Sequence, residues 1–328
     1  MKSGLVYDAN KDTLEGQDAE GNPVVLQADN KAGFFRDISI CDTPDDLAAC
    51  PKAEGNQGAG WQVNVGFSNY AKLFTDPKIV SQFAKVLVWT VAFALLSVLT
   101  TFFAGLLLAL VFNSERLRGL KIYRVILILP YAFPGFMSAL LWRNMLNKSN
   151  GTINNLVLGW LPDSMQQINW LEGSPWLAKF SVLAVNLWLG YPYMFLICLG
   201  ALQSLPGEVM ESARMDGASP FRAFRSITLP LLFVSVAPLL ISSFAFNFNN
   251  FNLIYMLTGG GPSFDPNVVD PTAAGGTDIL ISMVYKLADT SGQPDYGLAT
   301  ALSLVIFIIV GVISAWSFRQ TRKLEEVM

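Results

Sequence analysis

The chain has 328 residues, 52% of them hydrophobic and 14% charged, with 22 basic and 25 acidic side chains and a formal net charge of −3. A soluble domain of this size normally carries nearer 25% charge, so the composition reads as a polytopic membrane protein and offers no basic footprint for nucleic acid. There is no histidine, which removes the usual proton shuttle and the commonest transition-metal ligand.

In chain order, residues 1–78 stand apart. They are polar, with clusters of Gly, Asp, Asn and Pro and a strand-like Val24-Val25-Leu26. The segment reads as too short and too polar to hold much of a core. Cys41 and Cys50 lie in it and either pair, if the segment is extracytoplasmic, or remain two free thiols. Cys198 falls in an apolar run and reads as packing. Five apolar runs follow, each near the roughly 20 residues needed to cross a bilayer. They are 86–112; 125–142, interrupted by Pro130 and Pro134; 180–203, with Pro192; about 227–257, with Pro238; and 296–318. Between the second and third, 148–178 carries Trp160, Trp170 and Trp176, a composition suited to the membrane surface. The segment 259–295 is rich in Gly, Pro and Asp and reads as a loop.

Basic residues sort by loop. Segments 113–124 and 208–225 and the tail after 318 hold ten Lys or Arg, whereas 148–178 and 259–295 hold only Lys148 and Lys286. The positive-inside rule places the first three in the cytoplasm. Five spans with a cytoplasmic C-terminus put the N-terminus outside, yet Met1 is followed by polar residues rather than a secretory signal. Earlier spans are therefore expected to be missing from this chain. The expected fold is all-α and polytopic: an extracytoplasmic segment 1–78, then a transmembrane domain 79–328 with five helices and a cytoplasmic loop 204–228.

None of the five runs contains Asp, Glu, Lys or Arg, which argues against a proton relay, since ionisable groups in the membrane mark such paths. No phosphate-binding G-x-x-x-x-G-K-[ST] is present. The chain reads as a transporter without its own energy source and not as an enzyme; no catalytic residue, metal ligand or cofactor is expected in it. Polar groups cluster instead on two faces. Asn186, Gly190 and Tyr193 share an i, i+4, i+7 spacing, as do Ser243, Asn247 and Asn250. Trp188, Tyr191, Ser242, Asn249 and Asn252 lie among them. Uncharged amides, hydroxyls and aromatics suit a neutral polyhydroxylated ligand. The same groups also serve to join helices, at about 0.6 kcal/mol each.

The loop between the third and fourth runs reads as helix, turn, helix: Glu208–Met215 favours helix, Gly217 suits a left-handed stop, and Ser219-Pro220 suits a cap and first turn. Glu211-Ser212-Ala213, then Gly217, Ile227, Leu229 and Pro230 match the spacing of the EAA loop in membrane subunits of ATP-binding-cassette (ABC) type I importers, with Ser212 in place of an Ala. The resemblance implies that Glu211, Ser212, Ala213, Asp216 and Gly217 dock onto an ATPase subunit. From about Gly60 onward the chain further resembles the larger membrane subunit of maltose/maltodextrin importers, the MalF type. That likeness is carried by YRVILILPYAFPGF at 123–136, NLWLGYPYMF at 186–195 and SSFAFNFNNFNLIYMLTGGGP at 242–262.

This resemblance implies a mid-membrane sugar site at Tyr131, Asn186, Trp188, Gly190, Tyr193, Ser243, Phe246, Asn247 and Asn250. A position usually held by Ser falls on Gly135. Residues 1–78 would be the remnant of a larger extracytoplasmic loop. The implied partners are a second homologous permease subunit, two ATPase subunits that bind ATP and Mg, a soluble sugar-binding protein, maltose or maltodextrin, and lipid of a bacterial inner membrane. Another neutral oligosaccharide such as trehalose, a stand-alone secondary carrier, or a membrane scaffold are the competing readings. A phosphorylated sugar is disfavoured because the spans offer no cation.

Overall fold

The computed structural model describes residues 5–17, 22–30, 33–41, 46–53, 63–113, 119–160, 167–264, 273–289 and 295–327. Arg116 and Arg118 of the first basic loop lie outside the described residues, as do the side chains of Arg322 and Lys323. The chain forms two compact units, Met1–Ala71 and Lys72–Met328.

The first unit corrects the all-α expectation. It holds an antiparallel sheet of β1 (Val6–Asp8), β2 (Thr13–Gln17), β3 (Pro23–Asp29) and β4 (Phe34–Asp37), in that order. Leu14 pairs with Leu26, and Ala28 with Phe35. Leu26 and Ala28, two apart on β3, are both buried, the alternation a half-buried strand requires. Asp12 takes the left-handed conformation (φ 56°) in the β1–β2 turn, which Asp tolerates better than most residues. The Tyr7 hydroxyl donates to its carboxylate at 2.5 Å and the Asn30 amide at 2.7 Å. These bonds, that of Tyr7 first, hold Asp12 below the ordinary carboxylate range. A core this small needs other ties. Arg36 supplies one, donating to Asp29 at 2.7 Å and to the Cys50 carbonyl at 2.7 Å. The Cys41–Cys50 disulfide supplies another.

The second unit is helical. After α1 (Ser68–Thr75), Asp76 caps α2 (Pro77–Phe112) by accepting from the Lys78 N–H at 2.9 Å, with Pro77 in the first turn. α3 (Leu120–Ile128) runs through a 3₁₀ turn (Leu129–Ala132) and meets α4 (Gly135–Met145) at 91°. The proline pair Pro130 and Pro134 makes this break. Arg124 turns back from α3 to donate to the Phe112 carbonyl at 2.8 Å, satisfying one orphan acceptor at the end of α2.

α5 (Pro175–Gln203) is the long partner of α2. A Cβ on Gly105 would lie 2.6 Å from the Met194 carbonyl carbon, so only glycine lets these two backbones come so close. Around that contact, Phe102, Leu106 and Ala109 of α2 pack with Phe195 and Cys198 of α5. Leu232 and Val236 join them from α8 (Leu229–Phe248). Between α5 and α8 stand α6 (Gly207–Met215), α7 (Pro220–Ala223) and a π turn (Phe224–Thr228). α8 stops at Asn249-Asn250 and restarts as α9 (Phe251–Leu257). α10 (Leu280–Asp289) and α11 (Tyr296–Val327) complete the unit.

Among the described residues, four helices are long and apolar enough to cross a membrane: Pro77–Phe112, Pro175–Gln203, Pro220–Phe248 and Tyr296–Thr321; the bent α3–α4 pair passes the same test jointly. Two segments read as loops carry more structure than their composition suggested. In 148–178, the buried Asn154 donates to the carbonyls of Lys148 and Ile168 and accepts from the Trp170 indole at 2.8 Å. In 259–295, α10 buries Leu280, Met283 and Val284. That i, i+3, i+4 spacing is a helix signal, masked by flanking Gly and Asp.

Candidate functional site

A cavity of about 690 Å³ opens among α2, the α3–α4 bend, α5, α8 and the α8–α9 break. Ligand sites typically span about 300–1,000 Å³. Its lining includes Tyr131, Gly135, Asn186, Gly190, Tyr193, Ser243, Phe246, Asn247 and Asn250, together with Thr101, Phe133, Phe136, Ser242 and Asn252. None of the described residues lining it is charged.

Each element contributes for a local reason. α5 presents Asn186, Gly190 and Tyr193 because four and three residues are about one turn. Gly190 lies under Thr101 of α2, where an added Cβ would sit 2.8 Å from the threonine methyl. The α3–α4 bend brings Tyr131 over Tyr193. Their rings stack at 17° with centroids 6.2 Å apart, forming an aromatic wall. α8 presents Ser243 and Asn247. Asn250 is not on the same continuous helix, as its spacing had suggested. It caps α9, its side-chain oxygen accepting from the Leu253 N–H at 3.3 Å. The break still turns it to the cavity, and the cap leaves its two amide hydrogens for a ligand.

Asn186 and Asn247 are both buried. The Asn186 amide donates to the Asn247 side-chain oxygen at 3.0 Å, and the Asn247 amide donates to the Ser243 carbonyl at 2.8 Å. The pair both lines the cavity and ties α5 to α8. Trp188 departs from the expected set: it is absent from the lining and packs edge-on against Trp142 of α4, centroids 5.6 Å apart. Two residues on from Asn186, it points along a different face of α5. Thr101 is a polar lining residue that neither polar cluster flagged, since it lies in the largely apolar α2, away from both.

A second feature lies at the far end of α5 from its N-terminus. α6 ends in a Schellman motif: the Ala218 N–H bonds to the Ala213 carbonyl and the Gly217 N–H to the Arg214 carbonyl, both at 3.0 Å, with Gly217 left-handed at φ 74°. Ser219 then caps α7, its hydroxyl accepting from the Arg222 N–H at 3.3 Å. Glu211, Ser212, Asp216 and Gly217 are exposed, while Ala213 is buried against the rest of the hairpin. Met215 and Phe221 are 88% and 71% exposed, two apolar side chains at the tip of a polar hairpin. No cluster of residues able to hold a metal ion occurs among the described residues.

A family model described as binding-protein-dependent transport system inner membrane component matches residues 101–323. The chain is 38% identical over 326 residues to the maltose/maltodextrin transport system permease protein MalF of Escherichia coli (strain K12), covering 94% of this chain and 58% of that protein. It is 41% identical over 283 residues to the protein of the same name from Photorhabdus laumondii, covering 82% and 52%. The chain thus spans little more than half the length of these relatives. Among solved structures, a bacterial ABC transporter involved in the import of the acidic polysaccharide alginate superposes with a TM-score of 0.65 at 25% identity, covering 79% of this chain and 84% of that one. The MetNI methionine ABC transporter shares the fold, with a TM-score of 0.53 at 14% identity, covering 76% and 98%.

Proposed function

The chain belongs to the family of binding-protein-dependent transport system inner membrane components, and from that premise we propose that it is the permease subunit of an ATP-driven importer for maltose or maltodextrin. The observation that carries the sugar is the uncharged cavity walled by Asn186, Asn247, Asn250, Ser243 and the stacked Tyr131 and Tyr193. Amides both donate and accept, as sugar hydroxyls do, and the tyrosine faces suit the apolar side of a sugar ring. The alginate transporter's acidic cargo would call for a cation, and the described lining offers none. That favours a neutral glycan of the kind named for the MalF proteins.

In this reading a soluble binding protein delivers the sugar to the outer face. A second homologous permease completes the pathway, and two ATPase subunits grip the hairpin at Glu211, Ser212, Ala213, Asp216 and Gly217, with Met215 and Phe221 entering their grooves. ATP and its magnesium belong to those subunits, and this chain carries no cofactor. Closure of the ATPases moves the hairpin as a lever and rocks the helices between inward and outward openings. The bent α3–α4 pair counts as a broken fifth span, its irregular backbone lining the cavity.

The C-terminus and the hairpin face the cytoplasm and the β-sheet unit faces outward, in a bacterial inner membrane. Two things support this orientation. Counting Arg143 and Lys179 at the edges of 148–178, the basic residues beyond the first apolar run still divide ten against four. The disulfide suits an oxidising compartment. The test is reconstitution: the chain with its partners should accumulate maltose in vesicles in an ATP- and binding-protein-dependent way, and failure with maltose but success with another neutral glycoside would move the reading to that sugar.

A further inference from the structure

Away from the cavity, a fully buried carboxylate sits where three elements meet. Asp278 has no exposed side-chain surface, and the Lys286 side chain is 16% exposed. Asp278 accepts from the Lys286 ammonium at 2.6 Å, the Gly275 N–H at 2.6 Å and the Ser282 hydroxyl at 2.8 Å. Such a buried pair costs several kcal/mol of desolvation unless its lone pairs are matched, and here three donors match them. The carboxylate presses on the turn that ends α9: a Cβ on Gly260 would lie 1.9 Å from Asp278 Oδ1, and Gly260 itself is left-handed at φ 83°.

The residue next to Asp278 completes the clasp. The Thr277 N–H bonds to the Gly260 carbonyl at 3.1 Å, its hydroxyl donates to the Gly261 carbonyl at 2.6 Å, and it lies 2.7 Å from the Thr258 hydroxyl. The other side of the clasp is α2. The Trp89 indole donates to the Thr277 carbonyl at 3.2 Å, and the Leu280 N–H donates to the Thr90 hydroxyl at 3.0 Å.

α9 has seven residues, too few to be a stable helix alone. One of its ends is the α8–α9 break that carries Asn250 and Asn252 into the cavity; the other is the turn clasped by Asp278. Leu253, Ile254 and Leu257 bury α9 sideways against α4 and α5, and the clasped turn fixes its far end. We infer that Asp278, with Thr277, is a positioning residue for the sugar cavity, anchoring α9 to α2 so that Asn250 and Asn252 are held at fixed depth. The inference rests on the permease reading above.

The test uses the assembled complex. Asp278→Ala should speed hydrogen exchange across 250–262 about tenfold or more, the scale of a lost buried bond, while α5 exchanges as before. The maltose moved per ATP hydrolysed should fall, because the ATPase stroke continues over a misplaced site. Unchanged exchange at 250–262, an unchanged transport ratio, or loosening spread over the whole helical unit would each overturn the inference. If Asp278→Ala does not assemble, two milder variants decide the point. Thr277→Val, which keeps shape and removes the hydroxyl bonds, should give the same local signature at smaller size. Asp278→Asn with Lys286→Met, which leaves no unpaired charge, should protect 250–262 better than Asp278→Asn alone; the absence of both effects counts against it. Should the wild-type complex move no maltose, the functional reading fails, and the exchange comparison still decides whether Asp278 holds α9.

Discussion

Asn186 donates to Asn247 at 3.0 Å across sixty-one residues of sequence, and both side chains are buried in the cavity wall. The contact joins the two helices that carry most of the polar lining, so binding and packing share the same atoms. Truncating one partner leaves the other buried without its bond, a loss of about 1–3 kcal/mol.

Asn186→Leu should therefore lower the melting temperature of the purified complex and abolish sugar uptake. Asn186→Leu with Asn247→Leu should recover much of the stability, because both polar groups are gone, yet leave uptake at zero. Thermal melts and vesicle uptake measured on the same preparations check this. Recovery of uptake in the double variant would make the pair helix glue alone.

Asn250→Ala removes a cap worth about 1 kcal/mol and two amide hydrogens facing the cavity. The complex should assemble normally and lose maltose uptake, as co-purification and a filter assay would report. Asn250→Ser, which can still cap, should keep the stability and not the transport.

Gly217 has φ 74° and open space around an added Cβ, so the constraint there is backbone conformation rather than crowding. Gly217→Val should disrupt the hairpin turn and uncouple sugar-stimulated ATP hydrolysis. Gly217→Asn, which tolerates the left-handed region, should retain a substantial part of it. Equal activity in both variants would remove the turn geometry from the coupling step.

The hairpin was legible in the sequence because its stops and caps are local: Gly217, Ser219 and Pro220 each act within one turn. The membrane helices were legible because apolar length alone announces them. The sheet of the first unit was not. Only Val24-Val25-Leu26 carries a strand signal there, and the unit is held by Arg36–Asp29 and a disulfide, contacts that no periodicity announces. Asn250 joined its face for a different reason than spacing implied, since the α8–α9 break, not a continuous helix, turns it inward. Trp188 sat in the right sequence cluster and on the wrong side of α5. The Asp278–Lys286 pair and α10 were hidden in a segment whose Gly and Asp content reads as loop.

The disulfide offers a test of orientation. Closing a loop with a sequence separation of nine stabilises the folded unit by about 3 kcal/mol in the chain-entropy account. On intact cells, a membrane-impermeant maleimide should label Cys41 and Cys50 only after an impermeant reductant is added, and Cys198, which is buried, should stay silent. Labelling that requires permeabilised cells would put the sheet unit in the cytoplasm.

The most direct measurement of the central claim is maltose flux in vesicles holding this chain with and without its ATPase partners. The account predicts accumulation that needs ATP, the binding protein and an intact hairpin, with no flux through the chain by itself. Downhill maltose movement by the purified chain alone, insensitive to ATP and to Gly217→Val, would contradict it.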